Sequence, residues 1–277
     1  MSIPQMKLAT PVAPPTPSVL QNPAVARFSL SGKTAIVTGG AGGLGSEAAR
    51  ALLEHGVLKV ALFDTNVTLG QHVALGLKGR FPHADVLFKL LDVTDSDAVN
   101  AAVHEVAEEF EKIDILLAFA GIVECEHALE MTVQAWQRVL DVNLTGSFLC
   151  AQAVARKMIP QNTGGSIILV ASISGYAANF PQPHVNYNIS KAGVLMMCKH
   201  LAAEWGRYGI TVNSISPGYM DTVLNEGDGL DEFKKIWLAR TPLGRMGGRD
   251  ELNGAVVLLC SDAARFITGS DIKIDGE

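Results

Sequence analysis

Tyr187 and Lys191 are the residues whose spacing first implies chemistry. In Tyr187-Asn188-Ile189-Ser190-Lys191 they stand four positions apart, and residues i and i+4 share one face of a helix. A phenol titrates near 10, so using one as an acid/base at neutral pH means stabilising its anion by roughly 4 kcal/mol. A cation about 4 Å away, at an effective dielectric near 20, contributes energy of that size. The pair therefore suits proton transfer to and from a reacting oxygen. Alone it says little, because the same spacing is common on ordinary surface helices.

A second group of residues is suited to binding. Thr38-Gly39-Gly40-Ala41-Gly42-Gly43-Leu44-Gly45 follows the apolar run Ala35-Ile36-Val37 and opens a helical stretch. Gly39, Gly43 and Gly45 at this spacing allow a tight turn, close backbone approach to a pyrophosphate, and close packing of helix on strand. The helix N-terminus beyond them offers unpaired N–H groups and a positive dipole end to that anion. A glycine pattern is weak by itself, but its strand–turn–helix setting is the one the motif requires. The next apolar run ends in Ala61-Leu62-Phe63-Asp64, nineteen positions after Gly45. A carboxylate there accepts hydrogen bonds from both hydroxyls of an adenosine ribose and repels a 2′-phosphate. The glycine loop holds no Arg or Lys to attract such a phosphate. These residues predict a dinucleotide site, with NAD favoured over NADP.

The elements that position these groups follow from the apolar pattern. From Ser31 onward, short apolar runs at 34–37, 57–63, 86–91, 113–119, 166–170, 211–215 and 272–274 alternate with stretches of helical period, such as 46–55, 95–110, 133–158 and 191–208. Runs this apolar suit strands covered on both faces, which makes a parallel sheet between helices the economical α/β fold. No internal repeat or second change of composition appears, so residues 31–277 read as one domain. The first thirty residues differ: they carry Pro4, Pro11, Pro14, Pro15, Pro17 and Pro23 and no acidic residue. So many prolines exclude the continuous helix of a transit peptide. Residues 1–30 read as a flexible proline-rich arm.

Composition narrows the function classes. The chain has 277 residues and a net charge of −6, from 22 Lys+Arg against 28 Asp+Glu. That balance argues against a nucleic-acid partner, which wants clustered positive charge. No apolar run approaches the roughly 20 residues that span a bilayer. Cys125, Cys150, Cys198 and Cys260 are far apart and show no metal-ligand spacing. They read as buried free thiols of a cytoplasmic protein without a bound metal.

Taken together, these motifs resemble the short-chain dehydrogenase/reductase family, from about Ser31 to the C-terminus. Thr38 to Gly45 match its glycine loop, and Tyr187 with Lys191 match its Tyr-x-x-x-Lys. Asn143 in Val142-Asn143-Leu144-Thr145-Gly146 matches an Asn in the helix before the fifth strand. Ser172 with Gly175 matches a Ser-x-x-Gly turn after that strand. Pro217, Gly218 and Thr222 match a Pro-Gly followed by Thr, and Asp92 an adenine-contacting Asp after the third strand. The resemblance implies a single Rossmann-type, doubly wound parallel sheet of about seven strands with helices on both faces. It also implies that Tyr187 exchanges the proton of the substrate oxygen during hydride transfer at C4 of a nicotinamide. Lys191 would lower the Tyr187 pKa and hold the nicotinamide ribose, Ser172 would bond the substrate oxygen, and Asn143 would hold a relay water. The dinucleotide would lie against Gly39, Gly43, Leu44, Gly45, Asp64, Asp92, Val93, Ala120, Gly121, Pro217, Gly218, Met220 and Thr222.

Two departures stand out. Ala118-Phe119-Ala120-Gly121 replaces the family's Asn-Asn-Ala-Gly, so an amide that ties adjacent strands is missing and Phe119 must substitute packing. The sequence ends Asp275-Gly276-Glu277, without a second Gly and the short tail that often contributes to subunit contacts. Within the family, the run from Ser172 through Asn179, Phe180, Pro181 and Gln182 to Tyr187 resembles fungal polyol dehydrogenases and ketose reductases. That implies a small polyhydroxylated substrate, with Asn179, Gln182, His184 and Glu124 as candidate polar contacts. Residues 219–240, with glycines flanking acidic residues, read as a closing lid. The long helices over 133–158 and 191–208 imply a homotetramer or dimer. The rival readings are a dehydrogenase of a larger apolar alcohol and an NAD-binding regulator without catalysis; the complete Asn143, Ser172, Tyr187 and Lys191 set argues against the second.

Overall fold

The computed structural model describes residues 23–222 and 230–277. Seven strands form one sheet: β1 (Thr34–Thr38), β2 (Lys59–Asp64), β3 (Asp85–Leu90), β4 (Ile115–Ala118), β5 (Gly165–Val170), β6 (Ile210–Pro217) and β7 (Asp271–Ile274). Their order is β3-β2-β1-β4-β5-β6-β7, and every pair is parallel. All seven apolar runs in the sequence become strands; β1, β2, β4, β5 and β6 are buried along most of their length, whereas the edge strands β3 and β7 are only partly covered. Alternate residues serve opposite sides: Ile36, Phe63, Leu116, Ile167 and Val212 enter one core, whereas Val37, Leu62, Leu117, Ile168 and Ile215 enter the other.

Three helices cover the first face: α4 (Ser96–Phe110), α6 (Ser147–Gln161) and α7 (Val185–Trp205). The second face packs against α2 (Gly43–Glu54), α3 (Val67–Arg80) and α9 (Asn253–Cys260). A one-turn helix α1 (Pro23–Ala26), α5 (Val133–Leu140) and α8 (Asp231–Arg240) complete the described helices. From β1 the chain winds outward through β2 to β3, then returns to place β4 on the other side of β1. This reversal opens a crevice at the carboxyl ends of β1 and β4, where ligands of doubly wound sheets bind.

Several sequence expectations need correction or qualification. The helix expected over 133–158 is not uniform: residues Asp141–Gly146 widen into a π-helical turn between α5 and α6. The Asn143 side chain leaves this turn for partners on another segment, and inserted turns of this kind often mark functional positions. Cys150, Cys198 and Cys260 are buried free thiols as expected, but Cys125 is exposed, because the chain after β4 runs along the crevice rim. Of the proline-rich arm, residues 1–22 lie outside the described residues. Leu30 is already fully buried, and its N–H bonds His55 O at 2.8 Å. Of the lid at 219–240, residues 223–229 also lie outside the described residues.

Candidate active site

The glycine loop does locally what its spacing predicts. Gly39 adopts a left-handed φ of +65°, and a methyl group on it would meet Ala120 N at 2.7 Å. Only glycine therefore lets the end of β1 touch the end of β4. The end of α2 packs as closely, since a methyl on Gly45 would strike the Gly39 carbonyl. Gly42 is the N-cap of α2 and has no side chain to cap it, so first-turn N–H groups are left for an anion. Asp64 ends β2 beside this loop. Its Oδ2 accepts from Ala41 N at 3.0 Å and its Oδ1 from Asn66 N at 2.9 Å. The carboxylate is thus fixed at the mouth of the cradle rather than merely capping the next turn.

Phe119 compensates for the missing amide in part by packing with the second core. The tie between strands is made instead by Thr38: its carbonyl accepts from Phe119 N at 3.1 Å, and its Oγ1 accepts from Ala120 N at 3.3 Å. Asp92 holds its own turn through Thr94 N and Thr94 Oγ1 at 2.9 and 2.8 Å. Gly218 lies so close to the last strand that a methyl group on it would meet Asp275 Cα at 2.7 Å.

A single cavity of about 930 Å³ is lined by every residue expected to bind the dinucleotide, and by Ser172, Tyr187 and Lys191. A capless helix N-terminus, a glycine cradle and the Asp64 carboxylate in one crevice fit a dinucleotide. Ser172 caps the turn after β5, its Oγ accepting from Ser174 N at 3.1 Å. Lys191 is 5% exposed, and its Nζ donates to Val170 O at 2.7 Å and lies 5.6 Å from the centre of the Tyr187 ring. Burial lowers the Lys191 ammonium to about 8. Burial raises the Tyr187 phenol, and a hydrogen bond with Ser172 pulls it the other way. Lys191 thus stands beside the Tyr187 ring while its Nζ donates to the Val170 carbonyl.

Asn143 is fully buried and stands behind the cavity rather than in its wall. Its Oδ1 accepts from Ile122 N at 2.8 Å, and its Nδ2 donates to Ile122 O at 2.9 Å and Ser190 Oγ at 3.0 Å. Ser190 Oγ in turn donates to Tyr187 O at 2.7 Å. Both amide hydrogens are therefore spent on joining the segment after β4 to the start of α7.

The other end of the cavity is lined from the 179–184 segment and by Tyr219, Leu230, Phe233 and Trp237. Asn179, Gln182 and His184 line the cavity, whereas Glu124 does not; Glu124 pairs with Arg138 at 3.2 Å. Gln182 Oε1 is already taken by Trp237 Nε1 at 3.0 Å, and His184 Nδ1 lies 3.1 Å from Glu124 O. Trp237 stacks on Tyr219 with ring centres 4.4 Å apart. Arg240 Nη1 holds Phe180 O at 2.6 Å. Among the described residues, Asn179 Oδ1 is buried with no hydrogen-bond partner. Sequence reasoning missed Trp237, Tyr219 and Phe233 as cavity residues; only their place in the lid segment pointed to them.

A dinucleotide cradle that opens into the same cavity as the Tyr187 phenol suits hydride transfer, so the fold and site define a dinucleotide-dependent oxidoreductase. The chain belongs to the short-chain dehydrogenase/reductase family. Residues 39–276 match the family model described as "Enoyl-(Acyl carrier protein) reductase". The chain is 38% identical over 251 residues to the NADP-dependent mannitol dehydrogenase of Alternaria alternata, covering 90% of this chain and 93% of that one. It is 37% identical over 266 residues to the D-arabinitol 2-dehydrogenase (ribulose-forming) of Candida tropicalis, covering 91% and 94%. Among solved structures, a short-chain type dehydrogenase/reductase from Mycobacterium marinum superposes with a TM-score of 0.86 at 41% identity, covering 90% and 96%.

Proposed function

We propose that the protein interconverts a sugar alcohol and its ketose, using Tyr187 as general acid/base. The observation that carries this reading is the single cavity: its cradle faces Tyr187, Ser172 and Lys191, and its far end holds His184 and the Asn179 carbonyl, unpartnered among the described residues. Relatives named for mannitol and arabinitol support the substrate class. A bound nicotinamide supplies or accepts the hydride at the carbinol carbon. In oxidation, Ser172 Oγ and Tyr187 Oη bond the substrate hydroxyl, and its proton passes to Tyr187 as the carbonyl forms. Lys191 keeps a positive charge beside Tyr187 below about pH 8, which favours the phenolate that accepts this proton. Ser172 stabilises the charge that gathers on the oxygen. Asn143 positions these groups through Ile122 and Ser190.

Asp64 supports NAD over NADP, because a 2′-phosphate would bring like charge to its carboxylate. The mannitol dehydrogenase relatives are named NADP-dependent, so this preference rests on Asp64 and on a glycine loop without Arg or Lys. A homotetramer or dimer is supported by Ile189 and Met196, exposed apolar residues on α7, and Val133 on α5. Three buried free thiols support a cytoplasmic site. The test is a panel of five- and six-carbon polyols and ketoses against steroid-sized secondary alcohols, each with NAD and NADP. Turnover of polyols above the large alcohols supports the proposal; the reverse order replaces it with the apolar-alcohol reading.

A further inference from the structure

Arg249 opens the short helical turn Arg249–Leu252 that leads into α9, and nothing in the sequence motifs assigns it a task. Its Nε donates to Asp221 O at 3.0 Å, next to Met220 and Thr222 in one wall of the cavity. On its other side the guanidinium lies over the glycine loop: a methyl group built on Gly43 would meet Nη1 at 3.5 Å and Cζ at 3.7 Å. The exposed side chain thus reaches from the strand-end loop after β6 to the first turn of α2, at the edge of the cavity rather than in its lining. Among the described residues no ion pair engages it, whereas Arg245, four positions earlier, grips Glu251 through both nitrogens at 2.6 and 2.7 Å.

A guanidinium beside a helix N-terminus sits against a dipole end of its own sign. That arrangement becomes favourable when an anion lies between the two and receives donors from both. The guanidinium fork matches the paired oxygens of a phosphate. We propose that Arg249 is a dinucleotide-binding residue that closes over the pyrophosphate opposite the α2 amides. Asp221 O holds Nε and aims Nη1 toward the cradle, while glycine at position 43 leaves the approach open. The inference rests on the dinucleotide reading of the cavity and adds to it a side-chain charge where the glycine motif supplies only backbone. Because the pyrophosphate is common to both dinucleotides, Arg249 affects NADH and NADPH alike and takes no part in choosing between them.

The test is equilibrium binding to the full-length protein, with NADH, NADPH, ADP-ribose and adenosine as ligands and R249A and R249K as variants. R249A should weaken NADH, NADPH and ADP-ribose each by roughly tenfold, the size of one charge-assisted hydrogen bond. Adenosine, which has no phosphate, should bind as before. R249K keeps the charge without the fork and should fall between. Wild-type affinity for ADP-ribose should also decline with salt more steeply than that of R249A, a comparison that does not depend on activity. Unchanged affinities in a wild type that binds NADH would overturn the inference. So would an equal loss for adenosine, which would mark a structural role, and so would a loss confined to NADPH, which would mark a 2′-phosphate contact. A wild type that binds neither dinucleotide would instead overturn the reading of the cavity itself, and this inference with it.

Discussion

Replacing Lys191 with Met should make the protein more stable at neutral pH while removing its catalysis. Lys191 is 5% exposed, and burial lowers its ammonium from 10.5 to about 8. With the folded value depressed, the unfolded chain binds more protons between about pH 8 and 10.5, so stability rises with pH across that window. The penalty for the buried charge is fully present below about pH 8 and is gone above 10.5. The gap between the two values corresponds to about 3 kcal/mol. Methionine occupies a similar apolar volume without the charge, but it leaves Val170 O without the partner that now donates at 2.7 Å. That loss is about 1–2 kcal/mol at any pH. The net gain near pH 7 is then about 1–2 kcal/mol, and the difference between pH 7 and pH 10.5 is the full 3 or so. For a chain of 277 residues the unfolding entropy is about 0.6 kcal/mol per kelvin, so the pH-dependent part amounts to about 5 °C in Tm. The assay is thermal unfolding of both proteins, without dinucleotide, at the two pH values. A Tm difference that stays constant between them would refute the claim that burial depresses this ammonium.

Tyr187→Phe removes only the phenolic oxygen, and should lower kcat at least a hundredfold while leaving NADH affinity within about twofold; near-normal steady-state turnover would remove Tyr187 from its role. Asp64→Ser combined with Thr65→Arg should narrow or reverse the ratio of kcat/KM for NAD over NADP. Two like charges about 4 Å apart at an effective dielectric near 20 repel by roughly 4 kcal/mol before screening, and even half of that exceeds tenfold. A parent enzyme that already favours NADP would show that the Asp64 carboxylate does not face the ribose. Light scattering at micromolar concentration should report a dimer or tetramer, and a monomer would contradict the apolar helix faces as interfaces.

The sheet was legible because burial on both faces left β1, β2, β4 and β5 largely apolar, even though β6 buries Asn213, Ser214 and Ser216 and the edge strands β3 and β7 include Lys89 and Lys273. The cradle was equally plain, since its glycines keep a fixed spacing between strand and helix, although the contact that requires Gly39 is with the remote Ala120. Helix α3 was harder to see: Leu69 and Leu75 point outward, while Gly70 provides the inward contact by packing on the Phe88 ring, so its apolar pattern is faint. The π-helical turn at Asp141–Gly146 answers to bonds that Asn143 makes with Ile122 and Ser190, which no local pattern encodes. Gln182 looked free for a substrate, yet Trp237, far along the chain, takes its carbonyl. Arg249 escaped notice for the same reason, because its neighbour Gly43 is remote in sequence. Local backbone chemistry can be read from sequence spacing, whereas side-chain partnerships formed across the crevice need the fold.

The most direct test of hydride exchange in this cavity follows a label. Mannitol or arabinitol carrying deuterium on its secondary carbinol carbons is incubated with the enzyme and the oxidised dinucleotide, in ordinary water. Mass spectrometry of the reduced dinucleotide should find one deuterium per molecule, matched by one equivalent of ketose, and none of it should appear with Tyr187→Phe. Reduced dinucleotide without deuterium, or ketose formed without any reduced dinucleotide, would contradict direct transfer from polyol to nicotinamide.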